Sequence, residues 1–160
     1  MNTHTISLTV ENRHGALSRI ANLFSSRGYN ITSLNVAETE DPSISRMTIV
    51  VAGDEDIIEQ VVKQLNRLID VIKVIDFSGE TTLNRETLLV RVDASKSNRH
   101  EVVQLAALFG AKVAGVSSTS LVLELMAEPK SLDDFVALIK PYGLKELVRS
   151  GAIAISAAKK

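Results

Sequence analysis

The chain has no cysteine and no tryptophan, and aromatic residues fill only 4% of its 160 positions. Without cysteine there is no disulfide framework, no thiolate metal site and no catalytic thiol, which fits a reducing compartment. The scarcity of aromatics removes the base-stacking platform that sheet-based RNA readers need. An excess of one charge is missing too: 18 Lys and Arg face 19 Asp and Glu, for a net charge of −1. No global pull toward phosphate backbones or acidic membrane surfaces results. No apolar run approaches the roughly 18 to 20 residues of a membrane helix. Met1 leads directly into a strand-like alternation, without a basic and apolar leader, so a cytoplasmic protein is expected. Catalytic patterns are equally sparse. His4, His14 and His100 lie far apart and lack the spacing of a zinc site. No G-x-S-x-G elbow surrounds a serine, and no glycine cluster matches a P-loop or a dinucleotide fingerprint.

What is present is a composition that builds a core, 45% apolar and 23% charged. Thr5 to Val10 alternates strictly and places Ile6, Leu8 and Val10 on one sheet face. Leu17, Ile20, Ala21 and Phe24 then recur at helical spacing, closed by Gly28 as a left-handed cap. Two β-branched runs, 30–39 and 45–52, flank Glu40-Asp41-Pro42-Ser43 and predict a hairpin. Acidic Asp54, Glu55 and Asp56 open a second helix, and Val71 to Phe77 supplies a fourth strand.

This β-α-β-β-α-β order is the split-βαβ, ferredoxin-like arrangement. The same order repeats after residue 80. Leu88 to Val92 reads as a strand and 98–109 as a helix, with Asn98 and Glu101 spaced for a capping box. A hairpin over 112–116 and 121–126 follows, then a helix begun by Ser131-x-x-Asp134 and a last strand over 152–155. The expected fold is α+β with two tandem ferredoxin-like βαββαβ domains, residues 1–78 and 85–160, joined by a linker over 79–84. Residues 1–80 hold 7 basic and 11 acidic side chains and residues 81–160 hold 11 and 8, so the lobes differ in role. Domains of this size bury too small a share of their surface to be robust alone, and strand 46–52 is apolar on both faces. At least a dimer is expected.

One segment carries a chemical signal: Glu11-Asn12-Arg13-His14-Gly15-Ala16-Leu17, between the first strand and the first helix. Asn and Gly there satisfy a plain connecting turn equally well. The functional alternative is a ligand loop. A helix N-terminus offers free N–H groups and the positive end of the helix dipole to a carboxylate, and Gly15 lets the backbone approach closely. An asparagine amide donates and accepts at once, which suits a zwitterion and singles out Asn12 and Asn30. The strand after the first helix lies at a sheet edge, free to pair with its copy in another chain. Such pairing would make an eight-stranded sheet and set the Asn30 end against the partner's Asn12–Gly15 loop.

The run Glu11-Asn12, Gly15-x-Leu17-x-x-Ile20-x-x-x-Phe24-x-x-x-Gly28-x-Asn30-Ile31 resembles the signature of the ACT domain, an amino-acid-sensing regulatory module. Gly28-Tyr29-Asn30-Ile31-x-Ser33-Leu34, Asp41-Pro42 and Ser45-Arg46-Met47-Thr48-Ile49-Val50-Val51-x-Gly53-Asp54 narrow the likeness. They resemble the small regulatory subunit of acetolactate synthase (acetohydroxyacid synthase), over nearly the whole chain. That resemblance implies a subunit with no catalytic residues of its own, which activates the catalytic large subunit and confers feedback inhibition by valine or another branched-chain amino acid. It implies effector contacts from Asn12, Gly15, Ala16 and Leu17 of one ACT domain and from Asn30 and Ile31 of the other. Ser45, Arg46 and Met47 are the candidates to face the large subunit. Thiamine diphosphate, Mg2+ and FAD would belong to that partner, with no cofactor or metal on this chain. A stand-alone amino-acid sensor for a different enzyme is the competing reading, and a small enzyme on the same fold is a more distant one.

Overall fold

The computed structural model describes residues 3–79 and 81–157. The chain divides into two compact units, residues 1–83 with 152–160, and residues 84–151.

In the first unit, β1 (Thr3–Glu11), α1 (Ala16–Ser26), β2 (Ile31–Glu38), β3 (Ile44–Ala52), α2 (Glu55–Leu65) and β4 (Val71–Asp76) follow the expected order. The strands form an antiparallel sheet in the order β2-β3-β1-β4. Alternation determines what is buried: Ile6, Leu8 and Val10 are fully buried, with Ile49 and Val51 beside them. Ile20 and Phe24 of α1 and Ile58, Val61 and Leu65 of α2 close the same core. Each such side chain contributes about 1.5–3 kcal/mol by leaving water. Gly28, at φ +70°, ends α1 in the left-handed region, while the Tyr29 N–H donates to the Phe24 carbonyl. In the β2–β3 turn, the Asp41 carboxylate accepts from both the N–H and the hydroxyl of Ser43, at 2.9 and 2.7 Å. These two bonds hold its carboxyl below the ordinary value.

In the second unit, β5 (Thr82–Asp93), α3 (Arg99–Leu108), β6 (Lys112–Val116), β7 (Ser120–Ala127), α4 (Pro129–Ile139) and β8 (Leu144–Arg149) give the sheet order β6-β7-β5-β8. Phe135, fully buried, packs against Phe109 with ring centroids 5.2 Å apart at 58°, a tilted geometry that suits the ring quadrupoles.

Four local expectations are corrected. The fourth strand of the second unit is β8, not 152–155. Residues Ile153–Ser156 do form a strand, β9, which pairs with β5 as a fifth strand off the main path of that sheet, while residues 152–157 group with the first unit by compactness. There the Ala152 N–H donates to Ser33 Oγ at 3.0 Å and the Ala157 N–H to the Thr81 carbonyl. The expected linker is shorter than 79–84, because β5 already begins at Thr82. Helix α4 starts ahead of Ser131, at Pro129, whose fixed φ and missing N–H suit a first helical turn. The Asn98–Glu101 capping box does not form. Asn98 has helical φ and ψ, and its amide turns instead to Ser95 and to the Asp93 carbonyl.

Candidate functional site

The loop between β1 and α1 is tied down on two sides. Its first residue is held by the Asn12 N–H, which donates to the Ser43 carbonyl at 2.7 Å. The Asn12 side chain then donates both amide hydrogens, to Glu38 Oε1 and to the Pro42 carbonyl, each at 2.9 Å. Both partners are acceptors, so the amide nitrogen faces them and Oδ1 is left to accept. As folded, Asn12 therefore offers a ligand an acceptor, suited to an ammonium, rather than the donor-and-acceptor pair expected from its chemistry.

Gly15 precedes the first turn of α1 with φ +85°. No side chain caps the helix. The N–H groups of Gly15, Leu17 and Ser18 have no partner among the described residues. Ala16 is buried in the first turn, whereas Leu17 is 40% exposed beside the open N–H groups. Arg19 folds back over this turn. Its Nη1 lies 3.0 Å from where a Cβ on Gly15 would stand. Nε and Nη2 clamp Asp70 at 2.6 and 2.9 Å, leaving the Nη1 hydrogens facing the loop.

Asp70 is nearly buried, and its carbonyl also accepts from the Glu11 N–H at 2.8 Å. The Arg19 hydrogen bonds hold the Asp70 carboxyl below its ordinary value of 3.8, against the opposing effect of burial. A lowered carboxyl stabilises the fold above the ordinary carboxylate range. That contribution falls as pH drops through 3.8 toward the lowered value. The expected result is a stability gap between wild type and Asp70→Asn that is constant near neutral pH and narrows below about pH 4. Urea unfolding at a series of pH values measures it, and a gap that widens in acid would contradict the assignment.

Asn30 and Ile31 sit elsewhere in the same chain. Asn30 is exposed just ahead of β2, and Ile31, the first residue of β2, is half-buried against the core. The ladder pairs Ile31 with Val51, and Val51 with His4, at one end of the sheet. Glu38, the residue bonded to Asn12, ends β2 at the other. Seven strand steps, about 23 Å, separate the two ends. One chain thus gathers Asn12, Gly15, Ala16 and Leu17 but does not bring Asn30 and Ile31 to them. β2 is at the sheet edge.

The hairpin candidates fare unevenly. Ser45 and Met47 are buried, and Met47 is part of the core, so neither presents a docking surface. Arg46 points to the opposite face, half-buried, with Nε donating to Ser7 Oγ at 3.1 Å. Sequence reasoning missed Arg19, Asp70 and Glu38. Arg19 had a weak signal, one helical turn past Gly15, whereas the 51-residue separation from Asp70 leaves no local trace.

Comparison with known proteins follows the same division of the chain. A family model described as "AHAS small subunit-like ACT domain" matches residues 6–73, and one described as "Small subunit of acetolactate synthase" matches residues 85–158. A probable acetolactate synthase small subunit of Archaeoglobus fulgidus is 45% identical over 152 residues, covering 95% of each chain. The acetolactate synthase small subunit of Mycolicibacterium smegmatis is 42% identical over 154 residues, covering 96% of this chain and 91% of its own. The crystal structure of the acetolactate synthase small subunit from Thermotoga maritima superimposes with a TM-score of 0.90 at 32% identity, with both chains covered completely. The chain belongs to the acetolactate synthase small-subunit family.

Proposed function

We propose that this chain binds the catalytic large subunit of acetolactate synthase, raises its activity, and makes it subject to feedback inhibition by valine or a related branched-chain amino acid. The register of β2 carries this reading. Antiparallel pairing of two edge strands places the Asn30 end of one β2 beside the Glu38 end of the other. The N-terminal turn of α1 in one protomer then meets Asn30 and Ile31 of its partner. An effector carboxylate is received by the open N–H groups after Gly15 and its ammonium by Asn12 Oδ1, with the aliphatic side chain beside Leu17 and Ile31. Because the ligand bridges two protomers, its binding free energy adds to the pairing free energy and favours one dimer arrangement. Thiamine diphosphate, Mg2+ and FAD are assigned to the large subunit.

The test is a thermal-shift screen against the common amino acids, followed by reconstitution with the large subunit. Stabilisation by valine, leucine or isoleucine is the expected outcome, at about 2.7 kcal/mol for ligand at one hundred times its dissociation constant. Reconstitution should raise acetolactate synthesis and render it valine-sensitive. A melting response to a different amino acid, with no effect on the large subunit, would instead establish a stand-alone sensor.

A further inference from the structure

Arg19 stands one helical turn past Gly15. Helical side chains lean toward the N-terminus of their helix, which carries its guanidinium back over the start of α1. A guanidinium has five N–H donors in a rigid fork. Nε and Nη2 each give one to Asp70, at 2.6 and 2.9 Å. The Asp70 side chain is 5% exposed and that of Arg19 47%, so the pair is anchored from its buried side and open on the other. Nη1 lies 3.0 Å from the position of a Cβ on Gly15, and its hydrogens have no partner among the described residues.

Two kinds of unengaged donor therefore border Gly15: the main-chain N–H groups of Gly15, Leu17 and Ser18, and the Nη1 pair of Arg19. The acids around the loop are already engaged. Glu11 is paired with Arg13 at 3.0 Å, Asp70 with Arg19, and Glu38 Oε1 with the Asn12 amide. Arg13, the other guanidinium of the loop, is turned to Glu11 with its side chain 71% exposed, whereas the three atoms nearest a Cβ on Gly15 all belong to Arg19. Because Asp70 already fixes the fork, a ligand bound there does not have to order a free arginine side chain. Donors left on a fixed guanidinium favour an anionic oxygen over a neutral carbonyl, since the charge-assisted bond is roughly twice as strong.

We infer that Arg19 determines the specificity of the effector loop for a free α-carboxylate, an Nη1 hydrogen bonding one carboxylate oxygen while the main-chain N–H groups after Gly15 hold the other. This rests on the effector role proposed for the loop. The class of ligand so selected is the free amino acid. Carboxamides, esters and residues within a peptide are rejected, because they present no anionic oxygen to the guanidinium.

The test compares valine with valinamide as inhibitors of the synthase reconstituted from the full-length chain and the large subunit, with leucine or isoleucine and its amide used where that amino acid inhibits better. The amide keeps the ammonium and the branched side chain and removes only the carboxylate charge. In the wild type, the amino acid should inhibit at a concentration about tenfold or more below that of its amide. Arg19→Gln should weaken the amino acid by about tenfold or more and leave the amide nearly unchanged, so that the two converge. Arg19→Gln also strands the buried Asp70 charge. The double variant Arg19→Gln with Asp70→Asn leaves no charge unpaired and should show the same convergence in a sound fold. Arg13→Gln removes the same charge from the same loop and should keep the wild-type ratio within about twofold. A wild-type ratio in the double variant overturns the assignment, as does an equal collapse of the ratio in Arg13→Gln or equal inhibition by acid and amide in the wild type. Failure of the effector role itself gives a different result, a wild-type synthase that no branched-chain amino acid inhibits, and the assignment falls with it.

Discussion

Gly15→Asp is expected to abolish most of the valine sensitivity of the reconstituted synthase while leaving its activation intact. The added Cβ would lie 3.0 Å from Arg19 Nη1, the far end of a flexible side chain that can move aside. Aspartate is among the few residues that tolerate positive φ, so the loop should still fold. The new carboxylate then occupies the position proposed for the effector's own and pairs with the guanidinium that faces it. Loss of about 1.4 kcal/mol of effector affinity raises the half-inhibitory concentration tenfold, and direct competition for the same N–H groups should exceed that. Gly15→Ala separates the causes, because it adds the Cβ without the charge and should give an intermediate shift. Unchanged inhibition in a folded Gly15→Asp protein would place the effector elsewhere.

The second large effect concerns Arg149. Its Nε and Nη2 hold both oxygens of the buried Glu86, at 3.0 and 2.6 Å, and its Nη1 reaches Asp133 at 2.6 Å. These carboxylates raise the guanidinium pKa further, with Glu86 the larger influence. Arg149→Ala leaves Glu86 in the interior with little besides the Gly151 N–H, at 3.2 Å. Removing one partner of a buried pair typically costs 3–5 kcal/mol; because Arg149 is partly exposed, about 2–3 kcal/mol is expected, read as a lower urea midpoint. The double variant Glu86→Leu with Arg149→Met should recover most of the loss, since it leaves no buried charge unpaired. A double variant no better than the single one would mean that Arg149 matters through Asp133 or through packing.

Local chemistry made the first unit legible. Strict alternation at Ile6, Leu8 and Val10, helical spacing through Phe24, and the Asp-Pro turn each act over a few residues, and each has its counterpart in the fold. The candidate loop was visible for the same reason, because Asn12, Gly15 and Leu17 lie close together in the chain. What stayed hidden was set by distance or by broken periodicity. In β8, Leu144, Leu147 and Val148 follow no period of two, and a register shift opposite Arg91 and Val92 interrupts the ladder. Arg149 looks like a solvated charge until folding brings Glu86, 63 residues away, against it. The Asn12 amide looked free because Glu38 and the Pro42 carbonyl arrive only when the β2–β3 hairpin closes beneath it.

The placement of residues 152–157 with the first unit makes the second unit an insertion within the first. The Ala152–Ser33 bond spans 119 residues, the kind of separation that slows folding because chain entropy is lost before the contact forms. On the ribosome, Ser33 and Thr81 emerge long before their partners, while residues 84–151 are made without interruption. The strands β5 to β8 can therefore pair before β9 exists, and β9, which joins β5, together with the Ala152–Ser33 bond is added only at the end of synthesis.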